Sequence, residues 1–253
     1  MTEQSPYVFD SIAGAYDATR ALPGDAMEKV IIALRDSLGD DGPVLDVGVG
    51  TGRFAVPLAG LGVNVVGIDL ARNMMERARA KGFRNVAMAS ATEMPFRDGT
   101  FASATMVHVL HLIPDWRGAL SEISRTVKGS LFTVATQTDR LHEPRAIYER
   151  KLDELGYGKA YIGMHEKELA KHLKPDAVTP VCDIEFTLPT DEYIGSLERR
   201  EYSWATRLPD DLHASVVKEI RQEVGGRSET VKGQILLYEW SARRLTSAGG
   251  RII

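Results

Sequence analysis

The residues best suited to chemistry stand close together in the first third of the chain. In VLDVGVGTGRF, Val44 to Phe54, an apolar run carries Asp46 and is followed by Gly48, Gly50 and Gly52 at alternate positions. Glycines after a strand let the backbone turn sharply and approach a ligand, and the amides that open the next helix attract a negative group. A dinucleotide fingerprint, G-x-G-x-x-G, requires a third glycine at position 53, where this chain has Arg53. No Gly-Lys-Ser/Thr closes the turn as in a P-loop. An acid two residues before the first glycine opposes a pyrophosphate but suits a ligand with an ammonium group. About one strand–helix unit later, VVGID ends at Asp69, where a carboxylate can accept hydrogen bonds from both hydroxyls of a ribose. Ribose and ammonium without pyrophosphate describe S-adenosylmethionine.

Positioning these groups requires a sheet. Met27, Val30, Ile31 and Leu34 make one stripe of a helix from about Asp25 to Leu38. Strands are expected at Val44–Val47, in NVVGID, in NVAMAS, in FASATMVHVL and in SLFTVATQ. Helices are expected from about Arg53 to Leu61, in ARNMMERARAKG and from about Trp116 to Val127. This alternation argues for βαβ units and a mostly parallel sheet covered on both faces. After Gln137 the rhythm changes. Helical patterns run from about Pro144 to Leu155 and through HEKELAKHL, TDEYIGSLERREY and DDLHASVVKEIRQEV. VCDIEFTLP and GQILLYEWSARR read as two further strands, and SAGGRII as a frayed tail.

The expected fold is therefore α/β: a doubly wound, Rossmann-like, seven-stranded, mostly parallel sheet with helices on both faces and a helical lid. The 253 residues read as one domain. Residues 1–24 form a leading helix, 25–137 the cofactor-binding core and 138–175 a helical insertion. Residues 176–189 and 231–245 hold the last two strands, and 190–228 a cap suited to selecting a substrate.

Five segments in order resemble the class I S-adenosylmethionine-dependent methyltransferases, in particular the small-molecule branch around the ubiquinone/menaquinone C-methyltransferases. FDSIAGAYDATR is similar to the leading helix of that branch, VLDVGVGTGRF to its glycine loop and VVGIDLARNMMERAR to its second strand and ribose acid. SATEMPFRDGTF and MVHVLHLIPDW are similar to its adenine loop and its fourth strand with the following turn. The resemblance implies a cofactor site drawn from Asp46, Gly48, Gly50, Gly52, Asp69, Leu70, Met74, Ser90, Ala91, Thr92, Val107, Tyr16 and Arg20. The family usually places an acid where this chain has Ser90, which accepts a hydrogen bond from the adenine amino group more weakly.

The resemblance also puts methyl transfer at the end of the fourth strand. His108 is there a candidate base or orienting group, with Tyr16 as a second catalytic candidate. His111 belongs to the turn that follows and is expected to bond backbone. Tyr7 joins Tyr16 and Arg20 among the residues that close over the cofactor. Tyr148, Tyr157, Tyr161, Tyr202 and Trp204 fall in the lid, and Trp116 anchors the helix after Asp115. The implied reaction is in-line methyl transfer to an N, O, S or C nucleophile of a small molecule, with S-adenosylhomocysteine as product and positioning as the main catalytic device. A protein or RNA acceptor, or cofactor binding without turnover, are the alternatives.

The remaining composition narrows the partners. A net charge of −4 gives no footprint for nucleic acid or an anionic membrane. The single cysteine, Cys182, excludes an internal disulfide and reads as a small buried hydrophobe. No spacing of the six histidines makes a metal site. No apolar run reaches the ~20 residues of a membrane span, and MTEQSPYVFD shows no signal-peptide pattern. The expectation is a cytoplasmic monomer or homodimer without metal.

Overall fold

The computed structural model describes residues 9–10, 12–14, 16–19, 22, 24–158 and 163–250. Its centre is a seven-stranded sheet of order β3-β2-β1-β4-β5-β7-β6. β1 is Val44–Val47, β2 Val65–Asp69, β3 Val86–Met88, β4 Ser103–Thr105 and β5 Ser130–Thr138. These five run parallel, whereas β6 (Ala177–Pro189) and β7 (Ser228–Ser241) add antiparallel strands. The strand order reverses between β1 and β4, which opens a crevice at their carboxyl ends.

Alternation along the strands explains why both faces are covered. Val44, Phe132, Val134, Ile235 and Leu237 point to one face, where α1 (Ala26–Leu38) and α2 (Ala55–Gly60) supply Val30, Leu34 and Leu58. Leu45, Val47, Leu131, Leu236 and Trp240 point to the other, against α4 (Trp116–Thr126) with Leu120 and Ile123. A sheet buried on both sides must be apolar on both sides, so its strands read as continuous apolar runs. α3 (Arg72–Ala80) follows β2 and starts beside the crevice. Cys182 lies partly buried in β6 against the first of these clusters.

Three local expectations are corrected. The fourth strand ends at Thr105 instead of continuing to Leu110. The chain turns where His108 takes a left-handed φ of 59°, and Leu110–Leu112 form a 3-10 turn. Leu110 is apolar because the core receives it from the loop, and apolarity alone does not tell loop from strand. The last strand starts at Ser228 and stops at Ser241, and the tail expected to fray continues as α9, Ala242–Gly250, whose Leu245 is buried.

The helices outside the sheet divide differently from the chain order. α5 (Glu143–Glu154) packs with α7 (Thr190–Glu198) and α8 (Asp210–Val224) around Tyr148, Leu152, Ile194, Leu197, Trp204 and Ile220. α6 (Glu166–His172) instead places Leu169 in the core beneath the sheet. The segment 138–175 thus contributes one helix to the cap and one to the sheet layer. Rings stack in series through the cap: His142 on Tyr193, Tyr193 on Tyr202, and Tyr202 on Trp204, with centroids 4.7, 5.0 and 5.3 Å apart. Tyr148 Oη and His213 Nδ1 share a buried hydrogen bond of 2.6 Å. Tyr157 packs against the same cluster. These aromatics hold the cap together as a body with its own core.

Candidate functional site

The crevice predicted from the strand order contains a cavity of about 410 Å³. The loop after β1 forms its floor through Gly48 and Gly50. The two amides Gly48 N and Val49 N both donate to the Ile68 carbonyl, which ties this loop to β2. Gly48 has φ 73°, and a Cβ there would lie 2.4 Å from Val109 Cγ2 of the loop after β4. Only glycine permits this approach of the two loops. Gly52 does not line the cavity. Its missing side chain lets the loop pack against Val56 and Ala78, where a Cβ would meet carbons at 2.8 and 3.2 Å.

Asp69 organises the next wall. Its Oδ2 accepts from Gly50 N at 2.8 Å and its Oδ1 from Ala71 N at 2.8 Å. One carboxylate thus fixes both the glycine loop and the start of α3, and each oxygen keeps a lone pair for a ligand hydroxyl. Burial raises its pKa despite these backbone bonds. Leu70 and Met74 line the same wall, with Ser90, Ala91 and Thr92 beside them. Ser90 and Thr92 bond each other through their hydroxyls at 2.8 Å, and Ser90 Oγ also accepts from Thr92 N at 3.2 Å.

Asp46 takes a different place from the one its spacing suggests. It is 4% exposed and absent from the cavity lining, and its Oδ1 accepts from Thr105 Oγ1 at 2.7 Å. The register pairs Asp46 with Thr105 across β1 and β4, so the carboxylate stays within the sheet. Burial pushes its pKa up to about 7; the Thr105 bond opposes the rise and the charge of Asp69 adds to it. Its contribution is to bind the two strands whose loops make the crevice. Val107 is likewise buried in the core and off the cavity lining.

On the β4 side, His108 lines the cavity, with its ring centroid 6.3 Å from that of Phe54. His111 does not line it and stacks on His165 at 5.0 Å. Tyr16 and Phe9 close the cavity from the amino-terminal segment. Tyr7, Arg20 and Tyr161 lie outside the described residues. Trp116 is buried at the start of α4, and Asp115, which caps that helix by accepting from Gly118 N at 2.9 Å, also reaches the cavity. Phe9, Val47, Ile68, Ala71, Ala89, Val109 and Leu112 through Asp115 complete the lining. Most of them fall within FDSIAGAYDATR or MVHVLHLIPDW, so the motifs located them without naming them.

The charge of the lining is informative. It includes Asp69 and Asp115 and, among the described residues, neither lysine nor arginine. A cavity of this kind fits a ligand that carries positive charge and a ribose better than one that carries a pyrophosphate. Among the described residues no group of three or more His, Cys, Asp or Glu is placed to hold a metal ion.

Comparison with known proteins agrees with this geometry. The methyltransferase domain family matches residues 45–132, from within β1 to within β5. A ubiquinone/menaquinone biosynthesis C-methyltransferase of Geobacter sp. strain M21 is 33% identical over 135 residues, covering 48% of this chain and 57% of that one. An O-methyltransferase of Aspergillus sclerotiorum is 35% identical over 101 residues, 36% and 38% of the two chains. The chain spans about half the length of the curated relatives it matches. Among solved structures, a SAM-dependent methyltransferase of Thermotoga maritima shares the fold with a TM-score of 0.53 and 18% identity, over 94% of this chain and 100% of that one. Over residues 45–132, then, the chain is similar to methyltransferase domains.

Proposed function

We propose that the chain transfers a methyl group from S-adenosylmethionine to a small-molecule acceptor by in-line displacement. The observation that carries this reading is the Asp69 carboxylate, which braces the glycine loop and faces a cavity whose described lining has neither lysine nor arginine. Asp69 would hold the ribose, Leu70 and Met74 would flank the adenine, and Ser90 with Thr92 would meet its edge. Gly48 and Gly50 bring backbone close to the rest of the cofactor. When bound, the cofactor supplies a methyl on a cationic sulfur and leaves as S-adenosylhomocysteine.

The chain's own task is then to orient the acceptor in line and to exclude water. His108, at the cavity wall, holds or removes the acceptor's proton at a ring nitrogen, and Tyr16 adds a second polar group to the lining. The cap of α5, α7 and α8 selects the acceptor. No helix among the described residues is long and apolar enough to cross a membrane.

Calorimetric titration of the protein and of Asp69→Ala with S-adenosylmethionine, S-adenosylhomocysteine and NAD tests the proposal. The two sulfur ligands bind the parent protein and are weakened in the variant, while NAD gives no heat. NAD binding without a response to S-adenosylmethionine overturns it. Sulfur-ligand binding without S-adenosylhomocysteine release across a panel of small acceptors overturns turnover on that class of substrate.

A further inference from the structure

Asp17 sits next to Tyr16 in the amino-terminal segment but faces the other way, toward the glycine loop. Its Oδ1 accepts from Thr51 Oγ1 at 2.5 Å and its Oδ2 from Lys81 Nζ at 2.5 Å. Lys81 Nζ also donates to the Thr51 carbonyl at 2.9 Å. Thr51 is 1% exposed and lies between Gly50 and Gly52, and Lys81 follows the last turn of α3. Three side chains from three separate segments therefore close one small ring of contacts behind the cofactor cavity. A second tie lies earlier in the segment, where Asp10 Oδ1 accepts from Asn73 N at 2.7 Å. Between the two ties, Ile12 and Ala13 bury against Ala71 and Met74.

We propose that Asp17, Thr51 and Lys81 form a latch that sets the amino-terminal segment against the glycine loop and so governs how firmly the cofactor is retained. Asp17 and Lys81 are positioning residues. They line no part of the cavity, but the segment they hold contributes Phe9 and Tyr16 to its wall. The apolar cluster in the segment is small, so the polar ties carry a large share of its attachment. The latch also reports on the loop: Thr51 reaches Asp17 only while the turn through Gly50 and Gly52 keeps its present path. Asp17 and Lys81 are 44% and 37% exposed at their side chains, so salt weakens the attachment.

The cofactor arm of the test rests on the S-adenosylmethionine reading, and the other arm does not. Amide hydrogen exchange of the ligand-free protein is followed across residues 9–19 in the parent, Asp17→Asn, Lys81→Met and the double variant. Exchange accelerates in each variant across this segment and is unchanged in β1 and β5, and the double variant exchanges no faster than either single one. In parallel, S-adenosylhomocysteine dissociates about fivefold faster from each variant than from the parent, as expected for a partly exposed ion pair. The KM for S-adenosylmethionine rises with kcat unchanged. Unaltered exchange in both single variants overturns the latch. If the parent binds no S-adenosylhomocysteine, the cofactor reading falls, and the exchange data still decide whether the latch exists.

Discussion

Gly48 offers the most direct test of how the crevice is built. In Gly48→Ala the new methyl carbon falls 2.4 and 2.7 Å from the two γ-carbons of Val109, at a residue whose φ is 73°. Placing an L side chain in the left-handed region costs roughly 1–2 kcal/mol. Forcing a methyl into a packed contact costs about 1–3 kcal/mol more. The total of about 2–5 kcal/mol is a large part of the 5–15 kcal/mol that holds a typical domain together. Val109→Ala removes both offending carbons and leaves only the Val109 Cβ, 3.1 Å from the new methyl. The packing share of the loss is then recovered, while the backbone share remains. Denaturant unfolding of the ligand-free parent, both single variants and the double variant measures this. A coupling of about 1–3 kcal/mol in favour of the double variant is expected. Additivity within about 0.5 kcal/mol refutes the reasoning, because the loops after β1 and β4 would then not be in contact as described.

Asp69→Asn keeps one carbonyl oxygen but turns an amide against either Gly50 N or Ala71 N; unfolding free energy falls by about 1–3 kcal/mol, and calorimetry finds weaker binding of S-adenosylhomocysteine. His108→Gly is about 1 kcal/mol more stable than His108→Ala, since glycine adopts a φ of 59° without the steric cost that alanine meets there; equal melting temperatures count against a strained turn. Glu166 is 5% exposed, and burial pushes its pKa up to about 7 from an ordinary 4.5. The folded state then binds the proton more tightly than the unfolded state, so this carboxyl favours folding below pH 4.5 and the benefit is lost as pH rises through about 7. Relative to the parent, Glu166→Gln gains stability across that window, by about 3 kcal/mol at most, and urea midpoints of the two proteins that keep a constant separation from pH 5 to 8 would contradict this.

Much of the cofactor half was legible because its signals are local. Glycines with positive φ, an acid at a strand end and alternation of strand with helix are each written in a few adjacent residues. The setting of Asp46 is not written in its neighbourhood, because its spacing to Gly48 is local while its partner is not: Thr105 is 59 residues away and becomes a neighbour only through the β1–β4 register. The end of the fourth strand is not legible because Leu110 and Met106 are buried alike, one from a loop and one from beside a strand. The cap was hardest. Tyr148 and Trp204 meet edge to face at 5.2 Å although the chain between them crosses the sheet layer and returns. No periodicity records such a meeting.

The closing pair of β6 and β7 has a practical consequence. Pro189 is the last residue of one strand and Ser228 the first of the other, and the two face each other across the ladder. Everything from position 190 to 227 therefore leaves and re-enters through a single doorway about 5 Å wide. A replacement of any length fits that doorway, provided it presents an apolar face to Ile147, Tyr148 and Leu152. The sheet half with its cavity can stay unchanged while the helical cap is exchanged wholesale.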